Sequence, residues 1–286
     1  MNPLLVAGFA TAAGVDLIAP LLVAWWIMRR FKAAARVWWM GAAVFAVFQL
    51  CTRMPVVLYV QSRPAVREAV EGSFAAFLLF ALGLSLSAAL FEEGGRWIGY
   101  RFRVRERDGG SALLYGAGHG GLESISIGLA MVATLVGYIA VAVMPAETLA
   151  SLGPDQLRQV EEARAKFAGL AGWEPLLGAW ERLCALAVQL ALSLLVLQAF
   201  VRSPRWWWGA LGAHTTVNFM SVVVARVATQ RWGVAGGGLA AEGVITIFGF
   251  VALWAVALLN AATLNPAAAS GREPATGAAP PAPDKS

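Results

Sequence analysis

Residues 74–100 read Phe74-Ala-Ala-Phe-Leu-Leu-Phe-Ala-Leu-Gly-Leu-Ser-Leu-Ser-Ala-Ala-Leu-Phe-Glu92-Glu93-Gly-Gly-Arg96-Trp-Ile-Gly-Tyr100. The eighteen residues Phe74 to Phe91 carry no charge. That is the length at which an apolar run becomes a membrane-spanning helix rather than a core helix. The run then meets Glu92, Glu93 and Arg96 before the segment ends. Ionisable groups in a bilayer cost about 2.5–3.5 kcal/mol each at a helix centre on insertion scales, so each one asks for a reason.

The same texture extends along the chain. Of 286 residues, 59% are hydrophobic and only 14% charged, and the mean hydropathy is +0.65. A soluble globular chain carries about 25% charged residues, so a soluble enzyme is excluded. The expected fold is all-α, a polytopic helical membrane protein in the cell membrane with about seven transmembrane helices. The spans are expected near 4–28, 37–60, 74–100, 111–144, 183–201, 206–228 and 239–260, within a transmembrane domain covering 1–263. Residues 264–286, rich in Pro, Ala and Gly, are expected to form a disordered cytoplasmic tail.

Basic residues set the orientation. Arg29, Arg30, Lys32 and Arg36 follow the first span, Arg101, Arg103, Arg105 and Arg107 the third, and Arg202 and Arg205 the fifth. These are alternate loops on one side, which the positive-inside rule makes cytoplasmic. The N-terminus is then outside and the C-terminus inside. The long loop 145–181 falls outside and contains a helical stretch, Pro154–Leu170. Trp206, Trp207 and Trp208 read as an interfacial belt. Cys51 and Cys184 read as small buried hydrophobes. The net charge of +5 belongs to the loops, and no basic face interleaved with aromatic residues suggests nucleic acid.

The polar residues inside the spans are Asp16, Arg53, Glu92, Glu93, Arg96, His119, Glu123, His214, Arg226 and Glu242, with Asn218 as a neutral companion. Both histidines of the chain are among them. Arg96 lies four residues after Glu92 and three after Glu93, so one carboxylate can pair with it while the other works. His119 and Glu123 share a face of the fourth span, as His214 and Asn218 do in the sixth. Glycines at 116, 118, 120 and 121 clear the surface around His119 for close helix contact. At about 1.5 Å per residue, Glu92, His119 and His214 all lie roughly 12 Å from the cytoplasmic ends of their helices. Asp16, Arg53, Arg226 and Glu242 read as paired or snorkelling residues.

These residues resemble those of the YhfC-like family of intramembrane metalloproteases, related to the CAAX-prenyl protease and bacteriocin-processing superfamily. The superfamily pattern has a Glu-Glu pair followed shortly by Arg, then an aromatic-x-x-x-His element, then His-x-x-x-Asn. Here Glu92-Glu93 with Arg96, Tyr115 with His119, and His214 with Asn218 occur in that order, over roughly residues 10–260. Arg96 comes one residue earlier than the wider pattern, and Tyr115 stands where Phe is common. The resemblance implies an intramembrane endopeptidase that hydrolyses a membrane-associated peptide, and on the expected topology it acts from the cytoplasmic side.

Two chemistries are open. His119 and His214 can ligate zinc, with Glu123, Glu93 or Glu92 as third ligand. Alternatively Glu92 and His119 activate water while His214 and Asn218 stabilise the oxyanion. Glu123 can equally serve as the partner that orients His119. The rival functions are a proton- or cation-coupled transporter, a non-catalytic scaffold, and a haem protein with His119 and His214 as axial ligands.

Overall fold

The computed structural model describes residues 1–264, with side chains to Asn260; the expected tail lies outside the described residues, apart from its first residue. The protein is an all-α polytopic membrane protein. The long helices are α1 (Pro3–Phe31), α5 (Phe74–Phe102), α6 (Gly109–Ala142), α9 (Pro175–Val201) and α10 (Arg205–Leu264). The second span is composite: α2 (Ala35–Val44), a π-helical segment (Phe45–Arg53) and α3 (Met54–Ser62). Three short helices connect spans: α4 (Pro64–Gly72), α7 (Ala146–Ser151) and α8 (Pro154–Ala168).

Six helices are long and apolar enough to cross a bilayer among the described residues, where seven spans were expected. The difference lies in α10, which takes in both of the last two expected spans. Gly233 interrupts it with φ 77° and ψ −179°, a backbone open to glycine but strained for other residues. A Cβ on Gly237 would fall 3.0 Å from the carbonyl oxygen of Ala225, so the chain doubles back at this point. The limb 205–232 carries His214, and the limb 234–264 returns beside α9 through Gly249 against Cys184.

Local sequence explains the helix starts. Asn2, Ser73 and Asp108 cap α1, α5 and α6 with side-chain acceptors, and Pro3, Pro64, Pro154 and Pro175 occupy first turns. Each cap satisfies backbone amides that have no partner inside the helix. The outer faces carry exposed apolar side chains, such as Leu79, Ile247 and Trp254, while Glu93, Arg96 and His119 have no exposure. That inversion of a soluble fold suits a lipid surround.

Helix α9 is the most enclosed, with 67% of its apolar window buried against 11–33% for the other spans. It packs on α6 through glycine: a Cβ at Gly116 would lie 2.8 Å from the carbonyl oxygen of Gln189. On the other side of α6, Gly118 meets the backbone carbonyl of Trp38. The glycines around His119 therefore serve close backbone approach, which draws α2 and α9 in on either side of α6.

Two sequence expectations need correction. Cys51, in the π-helical segment, is exposed, whereas Cys184 is buried. Trp207 is not simply part of an interfacial belt. It turns inward, and its indole N–H donates to the backbone oxygen of Glu93 at 3.1 Å. α8 falls within the expected helical stretch, and it is held by Phe167, which packs on Phe9 and Tyr138.

Candidate active site

Glu92 and Glu93 are adjacent on α5 and point apart, as neighbours about 100° apart on a helix must. Glu93 turns to Arg96 on the next turn and pairs with it. Its Oε1 also receives Nδ1 of His214, from the first limb of α10, at 2.6 Å. Glu92 turns to α6, where its Oε2 lies 2.9 Å from Nε2 of His119. The sequence left open which carboxylate pairs with Arg96; here it is Glu93, and Arg96 reaches Glu92 only at 4.0 Å.

A single oxygen therefore collects the site. Glu92 Oε2 has His119 Nε2 at 2.9 Å, Gln189 Nε2 at 3.3 Å and His214 Nε2 at 3.9 Å. With its Nδ1–H committed to Glu93, a neutral His214 turns the lone pair of Nε2 toward Glu92. Two acceptors at that spacing call for a proton, a water or a cation between them. His119 is oriented from behind by Phe45, edge to face at 5.1 Å. Phe45 opens the π-helical segment, a geometry frequent at functional sites, so the irregular second span places an aromatic ring against a site histidine.

Glu123 is set apart from this centre. It accepts from Arg182 Nη1 at 3.0 Å and from Gln189 Nε2 at 2.8 Å. It shares a helix face with His119, but its hydrogen-bonding partners are on α9. Asn218 is half-buried and lines the same cavity as Glu92 and His214.

Gln189 is the residue that sequence reasoning missed. Its amide touches Arg96, Glu92 and Glu123, joining the two polar groups. Arg182 and Glu181 were missed as well, because the fifth span was expected to start at Leu183 whereas α9 starts at Pro175. The available signal was a glutamine in an apolar helix, the neutral counterpart of the charges that drew attention. Asp16 is buried with neither carboxylate oxygen partnered. Arg53 bonds to Ser87, Gln49 and the carbonyl oxygen of Leu84, and Arg226 lies 5.5 Å from the ring centre of Phe77.

The cavity at the site has a volume of about 540 Å³. Glu92, Gln189, His214 and Asn218 lie in its wall, together with Arg53 from the second span and Glu242 from the second limb of α10.

Residues 15–237 match the family model described as YhfC intramembrane metalloprotease. The chain is 31% identical over 221 residues to the uncharacterized membrane protein YhfC of Bacillus subtilis strain 168, covering 76% of this chain and 84% of that protein. No solved structure matches.

Proposed function

Because the chain belongs to the YhfC intramembrane metalloprotease family, we propose that it is an intramembrane endopeptidase that hydrolyses a membrane-associated peptide with Glu92 as general base. The observation that carries this reading is the convergence of His119, His214 and Gln189 on one cavity-facing oxygen of Glu92. Glu93, fully buried and held by Arg96, positions His214 rather than touching substrate.

The steps follow from those positions. Glu92 accepts a proton from water as the water oxygen attacks the scissile carbonyl carbon. The oxyanion accepts a hydrogen bond from the side-chain amide of Asn218. As the C–N bond breaks, Glu92 passes the same proton to the leaving nitrogen, and the carboxylate is restored. His119 fixes the orientation of Glu92 throughout, and burial in a poorly solvated site strengthens each of these contacts.

The family description implies a metal ion. Among the described residues no three His, Cys, Asp or Glu side chains are already assembled as a metal-binding group. The donor types nevertheless suit zinc: Nε2 of His119 and of His214 with Oε2 of Glu92, and His214 oriented through its other nitrogen by Glu93. Bonds of about 2.1 Å in a tetrahedral site set donors about 3.4 Å apart, and Glu92 Oε2 has the two imidazoles at 2.9 and 3.9 Å. Glu123 is committed to Arg182 and Gln189, so Glu92 suits the third position better. A zinc ion held there would polarise the carbonyl and acidify water, and Glu92 would then serve as its ligand rather than as the base.

A haem between the two histidines is disfavoured, because Glu92 Oε2 lies within 2.9 and 3.9 Å of their Nε2 atoms. A transporter would use the same carboxylates and predicts ion flux in liposomes. The test compares N-terminal peptides of membrane proteins in cells expressing wild type and Glu92→Gln. Cleavages present with wild type and absent with the variant are expected. Identical profiles from two equally expressed, folded proteins would overturn the reading.

A further inference from the structure

The cavity is one-sided. On α5 its lining runs over 84–92, on α9 over 181–189, on the first limb of α10 over 214–225, and on the second span over 49–61. In each of these helices the lining starts level with the site and runs away from the ends that carry Arg101–Arg107 and Arg202. From Gln49 to Gln61 the cleft wall extends roughly 18 Å along the helix axis. No lining residue lies between Glu92 and the arginine-rich end of α5.

The arginine-rich side is sealed. Tyr100 and Tyr115 are almost fully buried and pack with tilted rings at 4.8 Å, with Phe200 at 5.7 Å from Tyr100. Arg107 lies over Phe200 at 4.7 Å, and its guanidinium donates to the backbone oxygen of Tyr100 at 2.7 Å. Trp207 covers the backbone of Glu93 from the α10 side.

The walls of the cleft are mixed, with polar side chains set among apolar ones such as Met54, Val57, Val217 and Val222. Gln49, Arg53, Gln61, Asn218 and Ser221 project from helices that elsewhere show apolar faces. Backbone amides brought into a bilayer without helical hydrogen bonds need partners, and this lining supplies them. Its carboxylates, Glu92, Glu123, Glu181 and Glu242, outnumber Arg53 and Arg182, and Oε2 of Glu242 is buried without a partner.

From this we infer that the substrate chain reaches Glu92 from the face opposite Arg101–Arg107, as an unwound peptide segment lying in the cleft between the second span and the two limbs of α10. The inference rests on the peptidase reading for the identity of the occupant, but the direction of access does not depend on hydrolysis. By the positive-inside rule this face is the outer one, so the peptide bond is cut from the extracytoplasmic side and not, as the depth of the site in the sequence predicts, from the cytoplasmic side.

The test is sided thiol labelling in membrane vesicles of both orientations, on the full chain with Cys51→Ala and Cys184→Ala. Single cysteines are placed by Ser221→Cys deep in the cleft and Gln61→Cys at its mouth. Arg103→Cys marks the arginine-rich side and Glu162→Cys, on α8, the other. The probe is a small trimethylammonium methanethiosulfonate, whose fixed charge slows passage through hydrocarbon and suits a cleft rich in carboxylates. Both cleft cysteines are expected to react from the side on which Glu162→Cys reacts, at least about tenfold faster than from the other side, since the bilayer bars the charged probe. Reaction from the Arg103 side overturns the inference, and so does protection of both positions from both sides in variants that remain folded. Loss of cleavage in the Glu92→Gln comparison bears on the peptidase reading alone, because labelling proceeds in an inactive protein.

Discussion

Exchanging each carboxylate for its amide separates the structural glutamate from the working one. Glu93 has no exposure, and its Oε1 serves both Arg96 and His214 Nδ1. Hydrogen bonds to a charged group contribute about 1.5–3 kcal/mol each, and removing one partner of a buried ion pair costs about 3–5 kcal/mol. In Glu93→Gln the amide oxygen still accepts from one partner, while its NH2 faces the other. Roughly half of the interaction is lost, which gives a destabilisation of about 2–4 kcal/mol. Glu92→Gln disturbs less. Its contacts are His119 at 2.9 Å and Gln189 at 3.3 Å, Arg96 lies at 4.0 Å, and the side chain borders the cleft. A loss of about 1 kcal/mol is expected there. The gap of about 2 kcal/mol corresponds to roughly 30-fold in the unfolding equilibrium. Reversible unfolding in mixed detergent micelles measures both variants against wild type. Glu92→Gln should remain folded and lose about 10²–10⁴-fold in hydrolysis, the range for a general base. If Glu92→Gln unfolds as readily as Glu93→Gln, the division of labour drawn from the geometry is wrong.

Three further outcomes follow. Detergent-purified wild type is expected to carry about one zinc per chain by elemental analysis and His214→Ala markedly less, consistent with two imidazoles and a carboxylate as ligands; equal content in both would remove His214 from the ligand set. Gln189→Leu cuts the link between the two polar groups, and a fall of about 10–100-fold in turnover with intact folding is expected, as for other residues that orient a site from behind; unchanged turnover would make the glutamine a packing residue. Gly118→Val places a branched side chain against the backbone carbonyl of Trp38, and overpacking of about 1–3 kcal/mol or more should lower the unfolding midpoint; a stable variant would show that α2 can move away from α6 at no cost.

The fold was legible because bilayer composition is a coarse signal. Eighteen uncharged residues from Phe74 to Phe91 need only be counted, and the long helices of the structure overlap the expected spans. What counting could not reach was irregular backbone. The π-helical turn of Phe45–Arg53 has no composition of its own, and the reversal at Gly233 looks in sequence like one glycine among several. The start of α9 was misplaced because Glu181 and Arg182 look like loop charges, yet Arg182 lies inside the helix and pairs with Glu123. The candidate site was legible to the extent that charge in an apolar helix is conspicuous. Glu92, Glu93, Arg96, His119 and His214 are brought into direct contact, Asn218 faces the same cavity, and Glu123 joins through Gln189. Helical spacing allowed Arg96 to pair with either carboxylate, and only the direction of α10, which brings His214 to Glu93, decides between them.

The charge count of the centre then gives a physical reason for the arrangement. Two carboxylates and one guanidinium leave a net charge of −1 among groups that are almost wholly buried. Arg96 is taken by Glu93, so the surplus falls on Glu92, whose nearer partners, His119 and Gln189, are uncharged when the imidazole is neutral. A structural role alone would be served by one carboxylate facing Arg96, since unpaired charge in a bilayer only costs stability. With both imidazoles neutral, Glu92 in the cleft wall is a negative centre whose nearest cation, Arg96, is already paired with Glu93. A proton taken from water and a bound zinc ion are two ways of supplying that missing positive charge. Both act at Oε2 of Glu92, which is why replacing that one oxygen separates chemistry from folding more cleanly than any change at Glu93.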